Sequence, residues 1–282
     1  MRVLLANVPA AEEDSDDGRF IRQVVVERWQ KNLDLVKEAG TEIVFRFPRR
    51  GLTGLDAFMY RYLSHLGADE VLHAIIQGER NGFDAAVITC FDDPMLWEAR
   101  QAVDIPVVGI GESSMLLATM MGRRFGVVTI SPLTVPDAEE KIARYGLAGR
   151  SVGVWPTPES SDEQQKALID AGPAIEAFKS VARRLIEKGA DVLIPGCGLM
   201  SPALRLAPGA EAQYPDGLTR VDGVPVVDVM AAAIKHAEML VRMKQAGSSW
   251  ISRSALFAQP TPEAAKNARL VLDYEGPGFW DC

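Results

Sequence analysis

The hydrophobic and polar positions along the chain alternate between short apolar runs and longer amphipathic stretches. Short runs bounded by Gly, Asp or Pro predict buried strands of a parallel sheet, and amphipathic stretches that end at glycine predict helices. The predicted strands are Arg2–Asn7, Thr41–Phe47, Ala85–Thr89, Ile105–Gly109, Phe125–Ile130, Ser151–Trp155, Asp191–Pro195 and Val224–Val227. The main predicted helices are Phe20–Ala39, Leu55–Arg80 with a break near Gly67, Pro94–Ala102, Met115–Met121, Pro136–Tyr145, Pro173–Lys188 and Asp228–Gln245.

The order of strands and helices in residues 1–122 recurs in residues 123–245. This repeat predicts an α/β fold with two pseudosymmetric, doubly wound domains of those bounds, each with a mostly parallel sheet. Two such domains normally face each other, so we expect the active site in the interdomain cleft. Residues 246–282 form a tail with several aromatic side chains, which we expect to pack on the body or on a neighbouring subunit.

Two corresponding strands, one in each half, end at a cysteine. The segment Gly82-Phe-Asp-Ala-Ala-Val-Ile-Thr leads to Cys90, and Gly189-Ala-Asp-Val-Leu-Ile-Pro-Gly leads to Cys197. Ligands of open α/β sheets bind at the carboxyl ends of the strands, so the repeat predicts that the two thiols face each other across the cleft. One thiolate can then take a proton from a carbon acid while the other thiol returns a proton to the opposite face. This chemistry needs no cofactor and no metal.

Further candidates for substrate binding lie at strand ends, in turns or at a helix start of the predicted site. Backbone N–H groups of the turns after the cysteines favour a thiolate, and hydroxyl and amide groups can stabilise an enolate. Each polar candidate also has a structural interpretation, as a turn former or a helix cap. The candidates are Asn7, Phe91, Asp92, Ser113, Ser114, Thr129, Ser131, Gly198 and Leu199.

The composition restricts the partners. The 282 residues are 48% hydrophobic and 24% charged, which is ordinary for a globular protein. A net charge of −8 argues against nucleic acid, and no apolar run approaches the length of a membrane span. The N-terminus does not resemble a signal peptide, and three cysteines do not form a disulfide framework, so we expect free thiols in the cytoplasm. The partner expected is a small carbonyl or carboxylate substrate.

Metal and nucleotide cofactors are not indicated either. The three histidines, His65, His73 and His236, lie inside helical patterns without a metal-binding spacing. The segment Gly109-Ile-Gly111 lacks the rest of a dinucleotide fingerprint.

Four segments resemble the Asp/Glu/hydantoin racemase superfamily, and the hydantoin racemase branch in particular. The resemblance implies a two-domain fold, racemisation without a cofactor, and Cys90 and Cys197 as the acid/base pair. It also implies that Asn7 and the residues after Gly111 help to hold the substrate, and that the protein forms a homo-oligomer. The segments are Val87-Ile-Thr-Cys-Phe-Asp-Asp-Pro94, Ile105-Pro-Val-Val-Gly-Ile-Gly-Glu112, Gly122-Arg-Arg-Phe-Gly-Val-Val-Thr129 and Pro195-Gly-Cys-Gly-Leu-Met200.

Three departures from the family pattern bear on the substrate. The first strand ends in Asn7-Val-Pro9 where the hydantoin branch usually has Asn-Pro-Asn, residues 203–220 are an insertion, and the tail after 245 is additional. The leading hypothesis is a racemase or epimerase acting on a 5-substituted hydantoin or an amino acid. Two alternatives stay open: a cysteine-dependent decarboxylase or maleate-type isomerase of the same superfamily, and a non-catalytic, two-lobed binding protein.

Overall fold

The computed structural model contains two mainly parallel sheets with helices packed around them. Four strands are almost entirely buried, as expected for strands covered on both faces: β1 (Arg2–Ala6), β3 (Ala85–Ile88), β5 (Phe125–Thr129) and β7 (Val192–Pro195). The structure describes residues 1–8, 16–48, 52, 57, 59–158, 161–266 and 280–281.

The first sheet contains five strands in the order β10-β2-β1-β3-β4. β1 lies between β2 and β3 and pairs in parallel with both, whereas β10 pairs with β2 in the antiparallel direction. The strands are β1 (Arg2–Ala6), β2 (Glu42–Phe47), β3 (Ala85–Ile88), β4 (Val107–Gly109) and β10 (Trp280–Asp281).

The second sheet repeats this order with a reduced fourth strand. Its strands run β6-β5-β7, and Val226 adds a single parallel bridge to Leu193 of β7. The predicted strand Val224–Val227 is therefore mostly replaced by a small hairpin of two short strands. The remaining strands are β5 (Phe125–Thr129), β6 (Ser151–Pro156), β7 (Val192–Pro195), β8 (Arg220–Val221) and β9 (Val224–Pro225).

The helices connect the strands in the predicted alternation, which confirms the α/β class with mostly parallel sheets. Gly82 and Gly189 follow a helix in each half with φ of +74° and +92°, a conformation that ends helices and that glycine adopts without a Cβ clash. The helices are α1 (Asp16–Phe20), α2 (Val26–Asp34), α3 (Arg61–Arg80), α4 (Leu96–Ala102), α5 (Ile110–Met121), α6 (Val135–Arg144), α7 (Ser161–Lys166), α8 (Gly172–Glu187), α9 (Met200–Leu206) and α10 (Val229–Gln245).

Three helices differ from their predicted form. A π-helical turn, Ile21–Val25, joins α1 to α2 without interruption. α3 continues through Gly67, so the predicted break there was wrong; a buried glycine inside a helix costs only about 1 kcal/mol relative to alanine. α5 begins at Ile110 rather than Met115.

The two halves are interlocked by the helix that closes each of them. α5, at the end of the first half, packs against β7 of the second sheet, and α10, at the end of the second half, packs against β3 and β4 of the first sheet. α5 and α10 also pack against each other. The halves are therefore held together by helices that cross between the sheets.

The tail and the insertion lie on the outside of this body. Arg253 donates hydrogen bonds to the carbonyls of Arg100 and Val103, and the Phe257 ring packs edge-on against Trp97. Phe279 lies outside the described residues. Residues 203–220 pack on α8 and contribute nothing to the described lining of the cavity that contains the cysteines.

Candidate active site

A cavity of about 140 Å³ lies where the carboxyl ends of strands from both sheets meet. The helical segment from α1 to α2 forms its third side. Both predicted catalytic cysteines line it. The described lining consists of Val8, Asp17, Phe20, Ile21, Val25, Trp29, Phe47, Thr89, Cys90, Phe91, Asp92, Thr129, Ile130, Thr134, Ala138, Gln165, Gly196, Cys197, Gly198 and Leu199.

Cys90 lies two residues beyond the end of β3, in a tight turn closed by the Asp93 N–H donating to its carbonyl at 3.0 Å. The thiol is reduced and its residue half-buried. Burial raises the pKa of Cys90 well above its ordinary value, and the nearby Asp92 carboxylate raises it further. The Asp92 backbone N–H and the Lys141 ammonium act in the opposite direction. Cys90 is therefore a thiol at neutral pH.

Cys197 occupies the matching place beyond β7. The Leu199 N–H donates to its Sγ at 3.4 Å, and the Met200 N–H at the start of α9 also favours the thiolate. Burial nevertheless raises the pKa of Cys197 above its ordinary value, with a smaller contribution from Asp92. Both thiols thus sit beside N–H groups of the turn that follows them, as the sequence predicted.

Glycine allows the two cysteine turns to touch. A Cβ on Gly198 would lie 2.3 Å from the Thr89 carbonyl oxygen, which precedes Cys90. The Gly198 carbonyl in turn accepts a hydrogen bond of 2.9 Å from the indole N–H of Trp29. The floor of the cavity is therefore backbone from both halves, held from the helical side by Trp29.

The structure brings five of the nine predicted binding residues into the cavity lining with the cysteines. They are Phe91, Asp92, Thr129, Gly198 and Leu199. Thr129 shares a hydrogen bond of 2.7 Å with the Thr134 hydroxyl. Their contact with a substrate stays a prediction.

Asn7 is buried outside the described lining, and its side chain bonds to the protein itself. Its Nδ2 donates to the carbonyls of Leu5 and Arg46, and its Oδ1 accepts from the hydroxyl of Thr89, which does line the cavity. Asn7 thus holds the end of β3 in place. Its predicted role in substrate binding is not tested by this arrangement.

The three predicted serines also lie outside the described lining. Ser113 and Ser114 are buried in the early turns of α5, where the Ser114 hydroxyl donates to the Gly111 carbonyl at 2.9 Å. The Ser131 hydroxyl accepts from the Leu133 N–H and caps a short 3₁₀ turn. These contacts agree with the structural interpretation, while direct substrate contact by the serines stays a prediction.

Asp93 anchors the Cys90 turn rather than facing the cavity. Its carboxylate accepts from the N–H groups of Gly111 and Glu112 at the start of α5 and from the Tyr145 hydroxyl. Burial raises the pKa of Asp93 to about 6 despite these donors. Asp93 is therefore a turn and cap residue.

The sequence did not reveal the helical wall of the cavity. Phe20, Ile21, Val25 and Trp29 line it, and the π-helical turn accounts for their spacing along one side. In the sequence these residues fit the core face of a predicted helix. The π-helical turn, a feature often found at functional sites, has no signature there.

Lys141 was also not predicted as a site residue. It lies on α6 and its ammonium is 2.8 Å from Asp92 Oδ1. Nothing in the sequence connects positions 92 and 141, which are far apart along the chain.

No group of three or more His, Cys, Asp or Glu side chains within the described ranges is arranged to hold a metal ion. In the same ranges, no helix has the length and hydropathy of a membrane-spanning segment.

The chain is similar to racemases of one family over most of its length. The family model for Asp/Glu/Hydantoin racemase matches residues 35–237, which is most of the chain. A hydantoin racemase from a Pseudomonas species is 35% identical over 202 residues, covering 71% of this chain and 74% of that protein. A hydantoin racemase from Rhizobium meliloti is 34% identical over 214 residues, covering 72% and 80% respectively.

A solved structure extends the similarity to nearly the whole chain. Allantoin racemase from Pseudomonas fluorescens superimposes with a TM-score of 0.71 at 28% identity, covering 93% of this chain and 98% of that one. The match confirms the predicted two-domain fold. With the family model and the curated relatives, it shows that this chain belongs to the Asp/Glu/hydantoin racemase family and is an isomerase.

Proposed function

We propose that this racemase works without a cofactor and uses Cys90 and Cys197 as its acid/base pair. One cysteine, as thiolate, takes the hydrogen next to a carbonyl as a proton, and the C–H electron pair moves into the carbonyl to form an enolate. The other cysteine, as thiol, donates its proton to the opposite face of the same carbon. The product is the mirror image of the substrate, and the charge has moved from one sulfur to the other.

The observation that carries this proposal is the presence of both thiols in one cavity, at matching strand ends of the two halves. Burial raises the pKa of each thiol, which makes each thiolate a stronger base once it forms. N–H groups of the turns after Cys90 and Cys197 lie beside the sulfurs and limit the cost of ionisation. The same turns offer N–H donors for an enolate oxygen.

The lining favours a neutral substrate, and we propose a 5-substituted hydantoin. The described lining contains no Lys, Arg or His, whereas an amino acid or a dicarboxylate would bring a carboxylate that requires positive charge or several donors. The helical wall of Phe20, Ile21 and Val25 fits an apolar substituent on the ring. The two curated relatives are hydantoin racemases by name.

Single substitutions of the cysteines test the acid/base pair. We expect Cys90→Ser and Cys197→Ser each to lower racemisation of a 5-substituted hydantoin by about 10²–10⁴-fold, the usual contribution of a general acid or base. Each variant keeps one base, so it should exchange the C5 hydrogen of one enantiomer only, and the two variants should act on opposite enantiomers. Polarimetry and NMR in deuterated water measure the two effects.

Cys282→Ser is the matched control, because it removes the chain's third cysteine and should keep full activity. Undiminished racemisation in either single variant of Cys90 or Cys197 would exclude the proposed pair. Release of carbon dioxide from a disubstituted malonate, or conversion of maleate to fumarate, at a higher kcat/KM than hydantoin racemisation would assign the alternative reactions instead.

A further inference from the structure

The two cysteine turns are alike in position but differ in charge. The second residue after Cys90 is Asp92, and the second residue after Cys197 is Leu199. Both side chains line the same cavity. The two turns thus place different groups next to the sulfurs, a carboxylate after Cys90 and an apolar side chain after Cys197.

The Asp92 carboxylate is held by a lysine from the opposite half. Lys141 on α6 places its ammonium 2.8 Å from Asp92 Oδ1, with the lysine side chain only 9% exposed and the aspartate side chain 24%. Desolvating both ions is costly and is offset only by close pairing. The pair therefore keeps a negative charge at a fixed place beside Cys90.

The charge of Asp92 acts more strongly on one sulfur than on the other. Asp92 is the largest electrostatic contribution that raises the pKa of Cys90, and Lys141 partly opposes it, whereas for Cys197 the effect of Asp92 is the smallest of the causes. Asp17 lies in the same cavity lining and Asp93 in the same turn. Asp92 and Lys141 also line a second cavity, whose other titratable or charged groups include Arg61, His65, Asp93, Glu98, Asp137, Glu140, Arg144 and Tyr145.

We propose that the Asp92–Lys141 ion pair makes the two cysteines unequal, so that in the singly ionised form of the site Cys197 is the resting thiolate and Cys90 is the thiol. Asp92 and Lys141 are positioning residues in this scheme, since they act through the thiols. After one turnover from this resting state the charge lies on Cys90, next to Asp92. The repulsion between this thiolate and Asp92 favours the return to rest, in which Cys90 takes a proton from water or from the next substrate and Cys197 releases its proton to water or to the enolate of that substrate. This inference rests on the proposed function of the two cysteines.

The pH dependence of alkylation of each thiol tests the inference without any substrate. Iodoacetamide reacts with the thiolate, and peptide mass spectrometry follows Cys90 and Cys197 separately across the neutral to alkaline range. We expect the midpoint for Cys197 to lie below that for Cys90. Asp92→Asn should lower the Cys90 midpoint by about 1 pH unit, the effect of removing one nearby like charge, and should move Cys197 less.

Variants of Lys141 supply the matched comparison. Lys141→Met should raise the Cys90 midpoint, because Asp92 loses its counter-charge, and Lys141→Arg should keep it near the wild-type value. The double variant Asp92→Asn/Lys141→Met removes both charges, so its Cys90 midpoint should lie between those of the two single variants and below the wild-type value, because the effect of Asp92 is the larger. It also guards against loss of folding in the single variants. Thermal unfolding establishes that each variant is folded.

Equal midpoints for the two cysteines in the wild type, or a Cys90 midpoint that Asp92→Asn leaves unchanged in a folded protein, would overturn the inference. The serine variants test whether Cys90 and Cys197 are the acid/base pair, and the alkylation midpoints test whether the two thiols differ. Either proposal can therefore fail without the other.

Discussion

At the scale of single residues, the site combines buried thiols with donors supplied by the backbone. Cys90 and Cys197 are each in a turn whose N–H groups favour ionisation, while burial opposes it and determines the net direction. A thiol whose pKa is raised is protonated at neutral pH, so only a small fraction of the protein has the thiolate that the proposed mechanism requires for its first proton transfer. The thiolate is therefore a strong base that is present in only a small fraction of the molecules.

The pH dependence of kcat/KM should reflect this small thiolate fraction. In the proposed mechanism the active form has one thiolate, and the fraction of this form rises about tenfold per pH unit below the lower of the two thiol pKa values. Because burial raises both pKa values, we expect kcat/KM to increase with pH and its rising limb to extend beyond about pH 8.5, the ordinary value for cysteine. Measuring kcat/KM across the range in which the protein stays folded checks this. A plateau that is already complete near neutral pH would contradict it.

The cysteines could be recognised from the sequence because each ends an apolar strand run in the same local context. The partner of Asp92 could not be recognised in this way. Lys141 lies on a helix of the other half, and its contact with Asp92 depends on how the two sheets face each other. A local sequence pattern predicts where a residue lies along its own helix or strand. It does not predict the distance to a side chain on another helix or strand.

At the scale of elements, the segment from α1 through the π-helical turn to α2 determines one side of the cavity. Trp29 on α2 stacks on Phe45 and Phe47 at the end of β2, with ring centroids 6.1 and 6.4 Å away. Its indole N–H holds the Gly198 carbonyl at 2.9 Å. The helical wall is thereby tied both to the first sheet and to the Cys197 turn.

Trp29→Phe tests the hydrogen bond to the Gly198 carbonyl, because an aromatic ring remains and the N–H donor is lost. We expect a loss of about 1 kcal/mol in the free energy of unfolding, the usual worth of a buried hydrogen bond, and a lower kcat from the loosened Cys197 turn. Trp155→Phe is the matched control: that ring lies against Arg184 and Lys188, outside the described cavity lining, and should leave kcat unchanged. Equal kcat values for Trp29→Phe and wild type would show that the hydrogen bond does not position the turn.

The elements themselves were largely predictable, and the π-helical turn was not. Apolar runs and helix-ending glycines indicated nearly every strand and helix, since burial and backbone conformation leave local traces. The π-helical turn at Ile21–Val25 reads as ordinary helix in the sequence. The hairpin that replaces most of Val224–Val227 does have a local signal, because its turn residues Asp222 and Gly223 both adopt positive φ, as a two-residue hairpin turn requires.

At the scale of the whole molecule, the two halves are joined by two helices that each pack against the sheet of the other half, and by buried polar contacts. Glu238 on α10 is almost fully buried, and its carboxylate accepts from the Glu38 N–H at 2.7 Å and the Thr41 hydroxyl at 2.8 Å. Lys235 also donates to it at 2.7 Å. A helix of the second half is thus fastened to the connection between α2 and β2 of the first.

The same carboxylate should make stability depend on pH. Burial acts to raise the pKa of Glu238, but the hydrogen bonds from Lys235, Glu38 and Thr41 outweigh it and the net pKa is lowered from its ordinary value of 4.5. A lowered folded-state pKa adds stability above the unfolded value, and this contribution is lost as the pH falls below about 4.5.

We expect Glu238→Gln to lower the free energy of unfolding by about 1–3 kcal/mol at neutral pH, since a neutral amide pairs less well with these donors. The difference from wild type should shrink as the pH falls below 4.5. Denaturant unfolding at several pH values measures it, with Glu187→Gln on the exposed face of α8 as the control. A constant difference at all pH values would argue against an ionised Glu238 in the folded state.

The fold class followed from the internal repeat, because two copies of one strand and helix order have few ways to pack. The interlocking of the halves did not follow, since α5 and α10 read as ordinary closing helices of their own halves. Only the assembled structure shows that each covers part of the other sheet.

The close approach of Gly198 to the Thr89 carbonyl has a consequence for redesign. Where the two backbones touch, no side chain can be introduced without pushing the sheets apart, so the base of the cavity has a fixed shape. Room for a bulkier or more polar substituent on the proposed hydantoin can instead be created at the helical wall, by trimming Phe20, Ile21 or Val25. An engineer who wishes to broaden the substrate range would therefore randomise that stretch of helix and leave both cysteine loops untouched.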